Sequence, residues 1–127
     1  MVDQQVAQTA VENYFAYLCA KDAEAWVQLF SKEAISYDPV GNPPNQIHKD
    51  YLKFFQLLKF YSAMKSAPEI MFFAGNEMAV QWRMEVTAVN GKEASATGIT
   101  VFSFDESGKI SLLKAYWDDR QLMAQLR

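Results

Sequence analysis

The run Asp38-Pro39-Val40-Gly41-Asn42-Pro43-Pro44 sets a carboxylate directly before a rigid, turn-forming stretch, at the junction between a helical first third and a strand-rich remainder. Proline fixes its own φ and drives the preceding residue out of helix, so Asp38 and Asn42 are held extended. A carboxylate fixed in this way can act as a general base toward a substrate placed against it. The same residue types also build an ordinary surface turn with Asp at its start, so both readings stand on the motif alone. Other chemistries find little material. The single histidine, His48, and the single cysteine, Cys19, do not make a zinc site, and no metal is expected. There is no HExxH, no Gly-rich phosphate loop and no serine nucleophile elbow. His48 reads as a solvent-facing residue and Cys19 as a small core residue on a helix.

The elements that must position Asp38 follow from hydrophobic period. Ala7, Ala10, Val11, Tyr14 and Leu18 recur at three- and four-residue spacing, which predicts a first amphipathic helix capped by Asp3 with Tyr14 turned inward. Asp22 caps a second helix with Trp26, Leu29 and Phe30 inward, and Ala34 to Tyr37 leads extended into Asp38. Ile47 to Tyr61 reads as a third helix that buries Tyr51, Phe54, Phe55, Leu58 and Tyr61. After Ser66 the period becomes strand-like. Gly75-Asn76, Asn90-Gly91 and Ser107-Gly108 divide four extended runs: Glu69 to Ala74, Glu77 to Val89, Lys92 to Asp105 and Lys109 to Asp118. Strands of a dozen residues curl, so the expected fold is α+β: three N-terminal helices packed on the concave face of a strongly curved antiparallel sheet.

Composition bounds the partners. The chain has 127 residues, half of them hydrophobic, with nine Phe, six Tyr and three Trp. That is enough for one domain over residues 1–127 with a core or an enclosed apolar pocket. A formal charge of -3 gives no footprint for phosphate backbones, so no nucleic acid is expected. The polar start and the lack of a membrane-length apolar run give the expectation of a cytoplasmic protein with no membrane partner.

Hairpin arithmetic assigns faces. With Asn90-Gly91 as a two-residue turn, Gln81 pairs with Thr100, Arg83 with Gly98 and Glu85 with Ala96. The same rule around Ser107-Gly108 pairs Phe102 with Leu113, Thr100 with Ala115 and Gly98 with Trp117. One face then carries Gln81, Arg83, Glu85, Thr100, Phe102, Leu113 and Trp117. The other carries Val80, Trp82, Met84, Ile99, Val101, Leu112 and Tyr116. Both are apolar enough to need cover, and three helices cover only the concave one. A homodimer through the convex sheet face is therefore expected. A β-bulge would reverse the assignment beyond it.

Tyr14, Lys21-Asp22-Ala23-Glu24-Ala25, Asp38-Pro39-Val40-Gly41 with Pro44, and Ala115-Tyr116-Trp117 together resemble the ketosteroid isomerase-like, or SnoaL-like, branch of the NTF2-like fold over nearly the whole chain. The resemblance implies a cone-shaped fold, a homodimer, and a pocket between the helices and the concave face. It also implies cofactor-independent proton transfer beside a ketone, with Asp38 as base and Tyr14 as a donor to the oxyanion. In the steroid isomerases the second donor is an aspartic acid kept neutral by its apolar site. That acid corresponds to Thr100, a weaker donor. Tyrosines that support the oxyanion tyrosine correspond to Phe30 and Phe55.

With Gln81, Arg83 and Glu85 facing the pocket, Arg83 and Glu85 should pair with each other or meet a polar ligand. The expected substrate is accordingly an enolisable carbonyl compound smaller or more polar than a steroid. Trp117, with Phe102 and Leu113, would wall the pocket, and Trp117 can donate its indole N–H to Asp38. The alternative is a non-catalytic small-molecule-binding or dimerisation module.

Overall fold

A computed structural model describes residues 1–127. In chain order the elements are α1 (Gln4–Ala20), α2 (Ala23–Val27), β1 (Phe30–Tyr37), β2 (Asn45–Gln46), α3 (Ile47–Leu57), a 3-10 turn (Leu58–Phe60), β3 (Tyr61–Ala74), β4 (Glu77–Ala88), β5 (Glu93–Phe104), β6 (Ile110–Tyr116) and α4 (Asp119–Gln125). The six strands form one curved sheet in the order β2-β1-β6-β5-β4-β3. All pairings are antiparallel except β1 with β6. This is the expected α+β architecture with additions at both ends.

Local chemistry accounts for the helices. The Asp22 side chain accepts the Ala25 N–H at 3.1 Å and starts α2, as its residue type predicts. Asp3 sits at the N-cap of α1 but makes no such bond. The inward stripe of α1 is as expected: Ala7, Ala10, Val11, Tyr14 and Leu18 are buried, together with Phe15. They join Trp26, Phe30, Phe55, Phe102 and Leu113 in one hydrophobic core on the concave side.

Boundaries differ from expectation at the second helix, the third helix and the end of the last strand: α2 stops at Val27, and Phe30 opens β1 and does not continue the helix. The third helix ends at Leu57, and Tyr61 opens β3, whose ladder to β4 runs from Tyr61↔Ala88 to Ala74↔Glu77. Backbone pairing with a long neighbouring strand outweighs the helical period of the segment. Pro68 is tolerated within β3 because this strand lies at the sheet edge, next to a register shift between Pro68 and Ile70. A fourth helix, α4, follows β6. Its cap is Asp118, whose carboxylate accepts the N–H groups of Arg120 and Gln121, and it buries Leu122 while Leu126 packs just beyond its end.

The largest correction concerns register. The β4–β5 ladder pairs Val80 with Thr100, Trp82 with Gly98 and Met84 with Ala96, one residue away from the two-residue-turn expectation. The loop is three residues, Val89-Asn90-Gly91: Ala88 N–H donates to Lys92 O at 2.8 Å, and Gly91 has φ 87°. A type I turn closed by a left-handed glycine has this form. Because strand side chains alternate, a one-residue slip flips the whole strand. Val80, Trp82 and Met84 are therefore buried on the concave face, and Gln81, Arg83 and Glu85 are exposed on the outer one. The β5–β6 ladder has the expected pairs, Thr100↔Ala115 and Phe102↔Leu113.

Candidate functional site

The parallel ladder of β1 on β6, through Ser36↔Leu113 and Tyr37↔Lys114, carries the chain to Asp38 beside the end of β6. Val40 N–H then donates to Ala115 O at 2.8 Å, which fastens the Pro39-Val40-Gly41 turn to the same strand. The Asp38–Pro39 peptide is cis. Trp117, one residue past β6, reaches across and its Nε1–H donates to Asp38 Oδ1 at 2.8 Å. Asp38 is thus a held, inward carboxylate rather than the start of a solvent-facing turn.

Asp38 lines a partly open cavity of about 340 Å³ formed by α1, α3, the 3-10 turn, β3, β4, β5, β6 and α4, and fifteen of its twenty lining residues are hydrophobic. That volume is near the lower end for small-molecule sites, roughly 300–1,000 Å³. Packed protein around the carboxyl raises the Asp38 pKa; the Trp117 hydrogen bond opposes the rise and the negative charge of Asp119 adds to it. Tyr14, also on the cavity wall, is 6% exposed, and its hydroxyl has no protein hydrogen-bond partner. Its ring is fixed edge-on against Phe15 and Phe102 at 5.0 and 5.1 Å between centroids. Burial, and then the charge of Asp38, push its pKa well above the ordinary value, so it stays a protonated donor at neutral pH. Thr100 completes the polar set. Its Oγ1 accepts the Trp82 Nε1–H at 2.8 Å on the wall of the cavity. The threonine O–H is left free to donate into that space.

The other expected site residues divide into two groups. Phe30, Phe55, Phe102 and Leu113 are buried on the concave side, packed behind the cavity among the rings of Tyr14 and Trp26. Gln81, Arg83 and Glu85 are outside it altogether. Arg83 Nη2 and Glu85 Oε1 do face each other at 3.7 Å, but with side chains 50% and 59% exposed, so they form a solvated surface pair and not a pocket lining. The polar pocket expected from these three residues is replaced by Trp82 and Met84.

Two features were not expected from the sequence. Asp119 faces the cavity from the first turn of α4, with Leu122 and Met123 beside it. Its signal was a second carboxylate next to the capping Asp118, with apolar residues three and four positions on. A smaller chamber of about 110 Å³ adjoins the far side of Asp38 and Tyr14, and Trp26, whose Nε1–H is fully buried without a partner, is among its lining residues. No three His, Cys, Asp or Glu side chains are grouped to hold a metal ion, and no helix is long and apolar enough to cross a membrane.

A curved six-stranded sheet wrapped round a ligand-sized apolar cavity with an inward carboxylate defines an NTF2-like cone protein. The family described as the SnoaL-like domain matches residues 11–113, and the chain belongs to it. Two solved structures share the fold. The epoxide hydrolase/cyclase-like enzyme SalBIII, described with a role in pyran ring formation in polyether salinomycin, aligns with TM-score 0.83 at 23% identity over 95% of this chain and 97% of its own. An M. tuberculosis LEH-like epoxide hydrolase aligns with TM-score 0.78 at 16% identity over 96% of this chain and 90% of its own. The chain is therefore a small-molecule-binding or catalytic protein of this class.

Proposed function

We propose that the chain is a cofactor-independent isomerase that moves a proton within an enolisable carbonyl compound, with Asp38 as the general base. The observation that supports this is one carboxylate with a fixed oxygen and a raised pKa, set in an apolar cavity beside an unpartnered tyrosine hydroxyl. Oδ1 is occupied by the Trp117 N–H; Oδ2 takes the proton from the carbon next to the carbonyl. As negative charge grows on the carbonyl oxygen, Tyr14 and Thr100 donate to it. Asp38 then returns the proton to a second carbon, and the substrate leaves as its isomer.

A raised carboxyl pKa makes the base stronger and brings it toward working pH, which suits this role. With a threonine as second donor the reading favours a substrate other than a steroid. Gln81, Arg83 and Glu85 face away from the cavity, so its lining is apolar rather than polar, and its size and lining support a small, largely apolar substrate.

The reading takes residues 1–127 as one domain acting in the cytoplasm as a homodimer. The outer sheet face carries Ile70, Phe72, Ile99 and Tyr116, all of them exposed. With Gln81 standing between Ile99 and Ile70, they make a mixed patch of apolar residues that a second copy would cover. A monomer in sedimentation at micromolar concentration removes that element.

The decisive assay follows conversion of a small β,γ-unsaturated ketone to its conjugated isomer, with solvent-deuterium exchange recorded by NMR. Asp38→Asn should lower the rate by about a hundred- to ten-thousand-fold while the circular dichroism spectrum is kept. An unchanged rate refutes the base assignment. Ligand binding without any turnover in the wild-type protein leaves the binding module as the function.

A further inference from the structure

The cavity contains two carboxylates, Asp38 and Asp119, and no basic side chain. The charge felt by Asp38 from its surroundings is that of Asp119, also negative. Asp119 makes no hydrogen bond or ion pair within the protein, whereas its neighbour Asp118 is used twice, as the cap of α4 and as the partner of Arg120 at 3.5 Å. No Lys or Arg of the flanking elements lines the cavity. Arg120 is turned to Asp118 and is 90% exposed, and Lys21 Nζ donates to the Tyr61 carbonyl.

The remaining wall is aromatic to an unusual degree for so small a space: Tyr61, Trp82 and Trp117 stand on it with Phe54, Phe60 and Tyr14. Ring faces attract cations, and do so more strongly where water is excluded. Tyr14 adds an independent sign of a ligand, as a side chain more than nine-tenths buried on this wall whose hydroxyl has no protein partner. The first turn of a helix favours an acid, which accounts for a carboxylate near the start of α4 but not for one that faces an apolar cavity unpaired.

We propose that the ligand of this cavity is an apolar molecule bearing an ammonium group, whose charge is held by Asp119 and the aromatic rings while its carbonyl end meets Tyr14. Asp119 is part-exposed, and a neutral ligand filling the cavity would strip water from it and from Asp38 without supplying a counter-charge; a carboxylate ligand would add a third negative charge. The inference rests on the reading of this cavity as the ligand site. It does not rest on turnover.

Titration calorimetry at neutral pH and low salt, with 4-phenylbutylammonium, 4-phenylbutan-1-ol and 4-phenylbutanoate as probes, tests it. The ammonium should bind at least about tenfold more tightly than the alcohol, and the carboxylate most weakly. In Asp119→Asn the preference for the ammonium should fall to within about threefold, with the alcohol unaffected. Equal affinity for the three probes, tightest binding of the alcohol or carboxylate, no binding of any probe, or an undiminished preference in Asp119→Asn overturns the proposal. The wild-type comparison decides even if the variant is unstable. A failure here leaves the Asp38→Asn rate test untouched, and a failure there leaves this one standing.

Discussion

Asp38 and Asp105 occupy the same local sequence, an aspartate at the end of a strand followed three residues later by glycine, as Asp38-Pro39-Val40-Gly41 and Asp105-Glu106-Ser107-Gly108. Asp105 is the surface turn that such a motif suggests. Its Oδ1 accepts from Ser107 Oγ at 2.7 Å, Ser107 N–H at 2.9 Å and Lys109 N–H at 3.0 Å. These bonds, with the Ser107 side chain foremost, hold its pKa below the usual carboxylate value. Asp38 receives one indole N–H, faces a cavity, and has its pKa raised by burial. The motif sets the backbone; what the turn packs against decides whether the carboxylate is tied up by turn donors or left facing a cavity.

The two aspartates must therefore affect stability with opposite sign. Between the unfolded carboxyl pKa, about 3.9, and its own higher native value, native Asp38 holds a proton that the unfolded chain has lost. Stability falls as pH rises through that window, and above it the carboxylate is a constant penalty. Asn at this position keeps an acceptor for Trp117 and carries no charge. Asp38→Asn should stabilise the protein at neutral pH by about 1.4 kcal/mol for each unit of the native pKa rise, with the gain disappearing in acid. Urea unfolding on both sides of the window measures it, and equal stability of variant and wild type at neutral pH would show that burial does not penalise this charge. Paired with the expected loss of turnover, this is the largest effect in the comparison.

Asp105 runs the other way. Its contribution is complete above the unfolded pKa and is lost as pH falls through the depressed native value. Because the group is largely solvated, Asp105→Ala should cost about 1 kcal/mol at neutral pH and nearly nothing in strong acid, with no effect on binding or rate. A change in ligand affinity in this variant would mean that the turn supports the cavity.

Much of the architecture was legible because it rests on local pattern. The α1 stripe, the Asp22 cap, the position of Asp38 before its prolines and the β5–β6 pairs all follow from spacing and turn chemistry. The missing parts depend on long-range partners. Leu58 to Tyr61 continues the helical period of α3, yet β4 takes Tyr61 and the residues after it into a sheet edge. Helix α4 is short, and Asp119 gains a role only because β6 delivers it to the cavity. The β4–β5 register turned on whether Asn90-Gly91 forms a two-residue turn or the end of a three-residue one, which the dipeptide alone leaves open.

That single residue of loop length moves Arg83 and Glu85 from a cavity, where their desolvation would dominate the site, to water, where they barely matter. Their charged ends stand 3.7 Å apart with both side chains half in solvent. Such a pair contributes little, because water and salt screen it. Arg83→Ala and Glu85→Ala should each change stability by less than about 0.5 kcal/mol and leave probe binding at wild-type strength, as unfolding curves and calorimetry would record. Breaking one member of a buried pair typically costs about 3–5 kcal/mol, so a loss of that size in either variant would return β4 to the two-residue-turn register. It would also bring an arginine into the cavity, and the case for an ammonium ligand would fall with it.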